Sequence, residues 1–134
     1  MLVRNILEES VQKFGEVKAV KWLNKKEISE RSYCEIMENA ASVRKGLFAE
    51  GFEGKHIALI GASSVEWIES YLGIITGCTT AVPLDAALPC EDLADLINRS
   101  DCAALFLSPK HRPYLEVFLA NCPGLQKVWM LQEE

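Results

Sequence analysis

Four short apolar runs, spaced by amphipathic segments of helical period, constrain this chain more than any other feature. They are His56-Ile57-Ala58-Leu59-Ile60, Thr79 to Val82, Ala103-Ala104-Leu105-Phe106-Leu107 and Val128-Trp129-Met130-Leu131. Runs this short and this apolar suit strands covered on both faces, a setting that parallel sheets provide. After the first run, Gly61 turns the chain and Ser63-Ser64-Val65-Glu66 has the spacing of a capping box. It opens a helix expected to reach about Gly77 with Ile68, Tyr71, Leu72 and Ile75 inward. Pro83 is expected to stop the second run, and Pro89 suits the first turn of a helix facing inward through Leu93, Leu96 and Ile97. Pro113 is expected to open another, with Leu115, Phe118 and Leu119 inward, before a Cys122-Pro123-Gly124 turn. Strand, helix, strand, helix, strand, helix, strand reads as an α/β fold: a mostly parallel sheet with crossover helices, Rossmann-like in its layers.

The residues before this unit read differently. Leu7, Val11 and Phe14 lie at helical spacing and Gly15 follows at a natural stop. Val20, Trp22 and Ile28 flank the polar break Asn24-Lys25-Lys26, as in a short two-stranded hairpin. Ser32-Tyr33-Cys34-Glu35 is a further capping box, and the helix it opens carries Ile36, Ala40, Val43 and Leu47 on one stripe before Gly51. Residues 1–134 are expected to form a single α/β domain, and because the chain stops straight after a strand, we expect it to be a portion of a longer polypeptide.

Charge and composition remove several classes of function. A net charge of −5 and a pI near 5.1 lack the basic footprint of a nucleic-acid binder. No apolar run approaches the roughly 20 residues of a membrane span. The opening MLVRNILEESVQKFG has no signal-peptide core, so a cytoplasmic location is expected. Cys34, Cys78, Cys90, Cys102 and Cys122 are odd in number and never at C-x-x-C spacing, which argues against a disulfide framework or zinc site and for small buried thiols. His56 and His111 are too far apart in sequence to suggest a metal pair. Lys25-Lys26 and Glu133-Glu134 read as solvated surface.

Thr76-Gly77-Cys78-Thr79-Thr80 imitates a phosphate loop in composition only. A phosphate-binding turn presents free amides at a helix start, whereas here the apolar stripe precedes Gly77, so the segment closes a helix. No lysine follows it, as a G-x-x-x-x-G-K-[ST] loop requires. Gly61-Ala62-Ser63-Ser64 has the right polarity but one glycine and no lysine, and reads as a plain helix-start turn.

Ser32 to Asp101 resembles the N-terminal region of the adenylate-forming (AMP-binding) enzymes: acyl-CoA synthetases, luciferases and peptide-synthetase adenylation domains. Ser32-Tyr33-Cys34-Glu35-Ile36 is similar to the first core motif, [ST]-Y-x-E-L, and Lys55 to Ile60 to the D-R-V-A-I-L strand. Ser63 to Ile68 resembles an N-S-P-E-W-V helix start, and Leu72 to Asp85 the second core motif, L-x-x-x-K-A-G-x-x-x-V-P-L-[DN]. Leu88-Pro89-Cys90-Glu91-Asp92-Leu93 and Arg99-Ser100-Asp101-Cys102 continue as L-P-x-E-E-L and D-S-x-A. The resemblance implies a parent enzyme that converts a carboxylic acid and Mg-ATP to an acyl-adenylate and pyrophosphate, then passes the acyl group to CoA. The T-S-G-T-T-G-x-P-K-G loop and the catalytic lysine of such enzymes are not in this sequence, so it implies an N-terminal portion that holds none of its own cofactors ATP, Mg and CoA and no catalytic residue.

Two departures stand out. Asp85-Ala86-Ala87-Leu88 replaces N-P-R-L, removing an arginine able to reach a phosphate, and Thr76 replaces the residue before the motif glycine. In an open parallel sheet, ligands gather at the carboxyl ends of the strands, where Gly61–Ser64, Asp85–Ala87 and Ser108–Arg112 are expected. Lys110 and Arg112 are the cationic pair there, and with Asp85 they form the candidate CoA-facing edge. Self-association through surface left uncovered in the isolated chain is also expected. Two alternatives differ in class: a free-standing α/β interaction module without adenylating activity, and a flavodoxin-like domain that binds a flavin or nucleotide unaided.

Overall fold

A computed structural model describes residues 3–24 and 26–131; Lys25 and the Glu133-Glu134 pair, read above as solvated surface, lie outside the described residues. Helix α1 (Val3–Phe14) leads into an antiparallel hairpin of β1 (Lys18–Asn24) and β2 (Glu27–Ser32), then α2 (Tyr33–Ala49). The layered unit follows as β3 (His56–Ile60), α3 (Val65–Ile75), β4 (Thr80–Leu84), α4 (Cys90–Arg99), β5 (Cys102–Leu107), a 3₁₀ helix (Pro109–Tyr114), α5 (Leu115–Asn121) and β6 (Lys127–Met130). The four strands are parallel in the order β4-β3-β5-β6, the α/β architecture expected. The step from β3 to β4 runs opposite to the steps from β4 to β5 and β5 to β6. Right-handed crossovers therefore put α3 on one face and α4 and α5 on the other.

Side-chain alternation divides the core accordingly. Ala58 and Ile60 join Leu93, Ile97, Leu105 and Phe118 beneath α4 and α5, while Ile57 and Leu59 join Leu47, Phe52 and Ile74 beneath α2 and α3. Strands β3 and β5 are buried on both faces except at His56. Strand β4 is half exposed and runs through Pro83 to Leu84 rather than stopping at the proline. It lies at the sheet edge, where proline is tolerated because its missing N–H need not meet a neighbour.

Ser32 and Glu35 form the expected capping box: the hydroxyl accepts from the Glu35 amide at 3.1 Å and the carboxylate accepts from the Ser32 amide at 2.9 Å. The Ser32 amide, then its hydroxyl, hold the Glu35 carboxyl below its usual range. Helix α2 closes on Gly51, at φ 82°, with Phe52 N bonded to Leu47 O and Gly51 N to Phe48 O, the paired bonds of a Schellman stop. The second capping box does not form. The cap is Ser64, one residue later, and its hydroxyl accepts from the Trp67 amide at 3.1 Å, so no acidic side chain occupies the third helical position.

Helix α3 is rotated from the face expected. Ile68, Tyr71, Leu72 and Ile75 are only half-buried, whereas Val65, Glu69, Ser70, Gly73 and Ile74 are buried. Close approach decides this orientation over apolar content: a Cβ on Gly73 would lie 2.6 Å from Val43 Cβ and 2.8 Å from the Ala40 carbonyl. The same face carries Glu69, which accepts from Asn39 Nδ2 at 2.6 Å and pairs with Arg31 Nε at 3.6 Å. Burial lifts its carboxyl above the ordinary range, against the lowering pull of Asn39 and Arg31. Arg31 also lies over the Trp22 ring at 5.7 Å, tying the hairpin to the helix pair. On the opposite side of the sheet, Pro113 falls inside the 3₁₀ helix instead of opening α5, and Leu119 is exposed rather than inward, leaving Phe118 as the buried anchor of α5.

Two glycine substitutions test this packing. Gly73→Ala is expected to lower stability by about 1–3 kcal/mol through overpacking. Gly46→Ala in α2, where a Cβ meets nothing within 4 Å, is expected to raise it by up to about 1 kcal/mol through helix propensity. Urea midpoints moving in opposite directions bear out the close approach; both rising refutes it.

Candidate functional site

The carboxyl edge of the sheet is where the fold gathers polar groups. Ser108 N bonds to Ile60 O and Leu131 N to Leu107 O, so the strand ends are knit together before the chain turns away. After β4, Asp85 Oδ1 accepts from Ala87 N at 2.9 Å and Asp85 O from Leu88 N at 3.2 Å, so the side chain shapes its own turn. After β5, the 3₁₀ helix carries Lys110, His111 and Arg112. Lys110, Arg112 and Asp85 are all exposed, and the two cations make no ion pair among the described residues.

His111 brings these two loops together. Its Nε2 lies 2.8 Å from Ala86 O and its Nδ1 2.6 Å from Ser108 Oγ. A carbonyl can only accept, so Nε2 bears the proton; in the neutral ring Nδ1 then accepts from the Ser108 hydroxyl. The ring also packs edge-on against Tyr114, with centroids 5.5 Å apart. The imidazole is thus a bracket that fixes Asp85–Ala87 beside Lys110 and Arg112. Weighing histidine only as a metal ligand missed it; the available signal was the Ser108-x-x-His111 spacing directly after an apolar strand.

The neighbouring Gly61 turn is closed. A Cβ there would lie 2.9 Å from Leu131 Cδ1 and 3.1 Å from Ser108 Cβ. A phosphate has no cradle against this glycine, which argues against the flavodoxin-like alternative. The Thr76–Thr80 segment does close α3 as its polarity requires: Thr76 Oγ1 donates to Leu72 O at 2.6 Å and Thr79 Oγ1 to Ile74 O at 2.9 Å. Its threonine hydroxyls bond back to carbonyls of the helix end that also accept from the Thr76 and Gly77 amides. Among the described residues no three His, Cys, Asp or Glu side chains gather in a way that could hold a metal ion.

Four of the thiols, Cys34, Cys90, Cys102 and Cys122, are held toward the protonated form. Burial, then the Asp101 carboxylate, pushes Cys102 up to about 11, and burial also raises Cys122, Cys90 and Cys34. Only Cys102 and Cys122 are fully buried; Cys34 and Cys90 are half-buried and Cys78 is exposed, which corrects the expectation of five core thiols.

His111→Ala tests the bracket. Losing both ring hydrogen bonds is expected to cost about 1–3 kcal/mol and to speed amide exchange at Leu88 more than at Ala58. Equal acceleration at the two amides would show that the imidazole does not hold the loop.

Comparison with known proteins follows the same outline. A family model described as AMP-binding enzyme matches residues 7–131. A CoA ligase of Gibberella moniliformis is 28% identical over 95 residues, covering 66% of this chain and 16% of that protein. The nonribosomal peptide synthetase criC of Aspergillus cristatus is 32% identical over 78 residues, covering 58% of this chain and 4% of that protein. The A-PCP didomain of carboxylic acid reductase from Segniliparus rugosus, solved with AMP, superposes with a TM-score of 0.87 at 16% identity, over 100% of this chain and 22% of that one. This chain thus spans under a quarter of each of these three proteins. Among the described residues no helix is long and apolar enough to cross a membrane. Matched along nearly all of its length by the family model and in fold by the reductase didomain, the chain belongs to the AMP-binding enzyme family.

Proposed function

We propose that the chain is the N-terminal part of a cytoplasmic, ATP-dependent acid–CoA ligase. In that reaction a carboxylate oxygen attacks the α-phosphorus of ATP and pyrophosphate leaves; the CoA thiol then attacks the acyl carbon and AMP leaves. The observation that carries the reading is the family match over residues 7–131, joined to a CoA ligase of which this chain accounts for 16%. Mg-ATP and the catalytic lysine belong to the remainder of such an enzyme, and the 134-residue chain is by itself inactive. Lys110 and Arg112 meet CoA phosphates through charge-assisted hydrogen bonds, and His111 and Asp85 set the loops around them.

An uncovered surface supports the same reading. Helices α2 and α3 and strand β6 line a groove of about 500 Å³, where Leu47, Phe106, Trp129 and Leu131 stand beside Asn39, Glu50, Glu66 and Glu69. The remainder of a ligase covers such a groove; in the isolated chain it favours self-association.

Carboxylate-dependent exchange of pyrophosphate into ATP tests the assignment. The 134-residue chain is expected to show none, and the longest reading frame that contains it is expected to show exchange and CoA-dependent thioester formation. Absence of both from that longer product leaves a free-standing interaction module as the reading. Within the active enzyme, replacing Lys110 and Arg112 together by alanine is expected to raise the KM for CoA about tenfold or more, equivalent to ~1.4 kcal/mol, with pyrophosphate exchange unchanged. An unchanged KM removes the two cations from the CoA contact.

A further inference from the structure

A second pocket lies at the amino-terminal edge of the sheet, opposite the edge described above. Arg44, Lys45 and Phe48 of α2, Arg4 of α1, Glu53 and the Gly77-Cys78-Thr79 turn before β4 line a cavity of about 280 Å³. Three cations and one carboxylate converge there, in a chain whose overall charge is −5. None of the cations is committed elsewhere by a short contact. Arg44 Nη1 reaches only Thr76 Oγ1, at 3.4 Å; Arg4 faces Glu8 at 4.0 Å, both half exposed; Lys45 has no ion-pair partner among the described residues. The end of α3 carries hydrogen bonds of its own, from Thr76 N and Oγ1 to Leu72 O and from Gly77 N and Thr79 Oγ1 to Ile74 O. Gly77 contributes by lacking a side chain: a Cβ there would lie 2.9 Å from Arg44 Cγ, so the arginine stem lies close against the turn.

The rest of the lining is apolar. Leu47 is buried at the base and Phe48 is 64% exposed. An inorganic anion would answer the cations and leave this wall uncovered, while a neutral apolar molecule would desolvate the cations without compensation. The volume sits at the lower limit of ligand clefts, about 300–1,000 Å³, which restricts the occupant to a small molecule. We propose that this pocket binds a small amphiphilic anion, its phosphate or carboxylate held by Arg44, Lys45 and Arg4 and a short alkyl group against Leu47 and Phe48. The inference rests on these contacts and not on the acid–CoA ligase reading.

Titration of the isotope-labelled 134-residue chain with hexyl phosphate, followed by amide chemical shifts, tests it. Saturable shifts centred on Phe48, Gly77, Cys78 and Thr79 are expected, weakened about tenfold or more in Arg44→Ala/Lys45→Ala. Lys45→Glu alone, which removes no internal ion pair, is expected to weaken binding with an unchanged melting curve and decides the matter if the double variant fails to fold. Inorganic phosphate or hexanol binding as tightly as hexyl phosphate overturns the amphiphile. Shifts centred elsewhere, or unaffected by Lys45→Glu, overturn the site. Attachment to phosphatidylcholine vesicles containing phosphatidic acid, without saturable binding of free hexyl phosphate, replaces the pocket with a membrane-surface contact.

Discussion

The close approach of α2 and α3 at Gly73 is the contact on which the first half of the structure depends. With no side chain at that position, the Ala40 carbonyl and Val43 come within 2.8 Å of where a Cβ would be. The rotation this imposes buries Glu69, and Glu69 in turn engages Asn39 of α2 and Arg31 of β2. One missing methyl group thereby fixes a helix pair and the attachment of an otherwise separate hairpin. A buried carboxylate with two polar partners is a costly device to keep in a core. Here it joins the hairpin strand β2 to the packed pair of α2 and α3.

Much of the fold was legible in the sequence because its signals are local. Strands β3 and β5 are apolar runs with almost no exposed position, and the Ser32 cap carries its glutamate at the required spacing. The misreadings have a common origin in tertiary context. Counting apolar residues selects Ile68, Tyr71, Leu72 and Ile75 as the inner face of α3, but packing distance favours the face with glycine and serine. Pro83 reads as a stop until β4 is known to be an edge strand. Leu119 follows the helical period and is nevertheless exposed, since α5 is short and anchored by Phe118. In the candidate site, the positions of Lys110, Arg112 and Asp85 followed from topology, whereas the link between their loops did not. His111 and Ala86 are 25 residues apart, and nothing local relates them.

The two edges of the sheet differ in what they offer. The carboxyl edge carries a rigidified pair of loops with unpaired cations, and a glycine turn closed by Leu131 and Ser108. It is arranged to meet a ligand from outside rather than to enclose one. At the amino edge, Arg4, Arg44 and Lys45 make no ion pair shorter than 4.0 Å among the described residues. Polar groups at the two edges have therefore been divided between those that complete the backbone and those available to solvent.

Pro83 has a consequence for how this sheet grows. A strand added beside β4 would meet a row of peptide groups with one donor absent, since proline at an edge turns its bare nitrogen outward. Strand β6, Lys127-Val128-Trp129-Met130, contains no proline and keeps its full complement of donors and acceptors. The sheet is thus directional in its capacity for extension: blunted on one flank and open on the other, it favours further strands beside β6, next to the aromatic pair of Trp129 and Phe106.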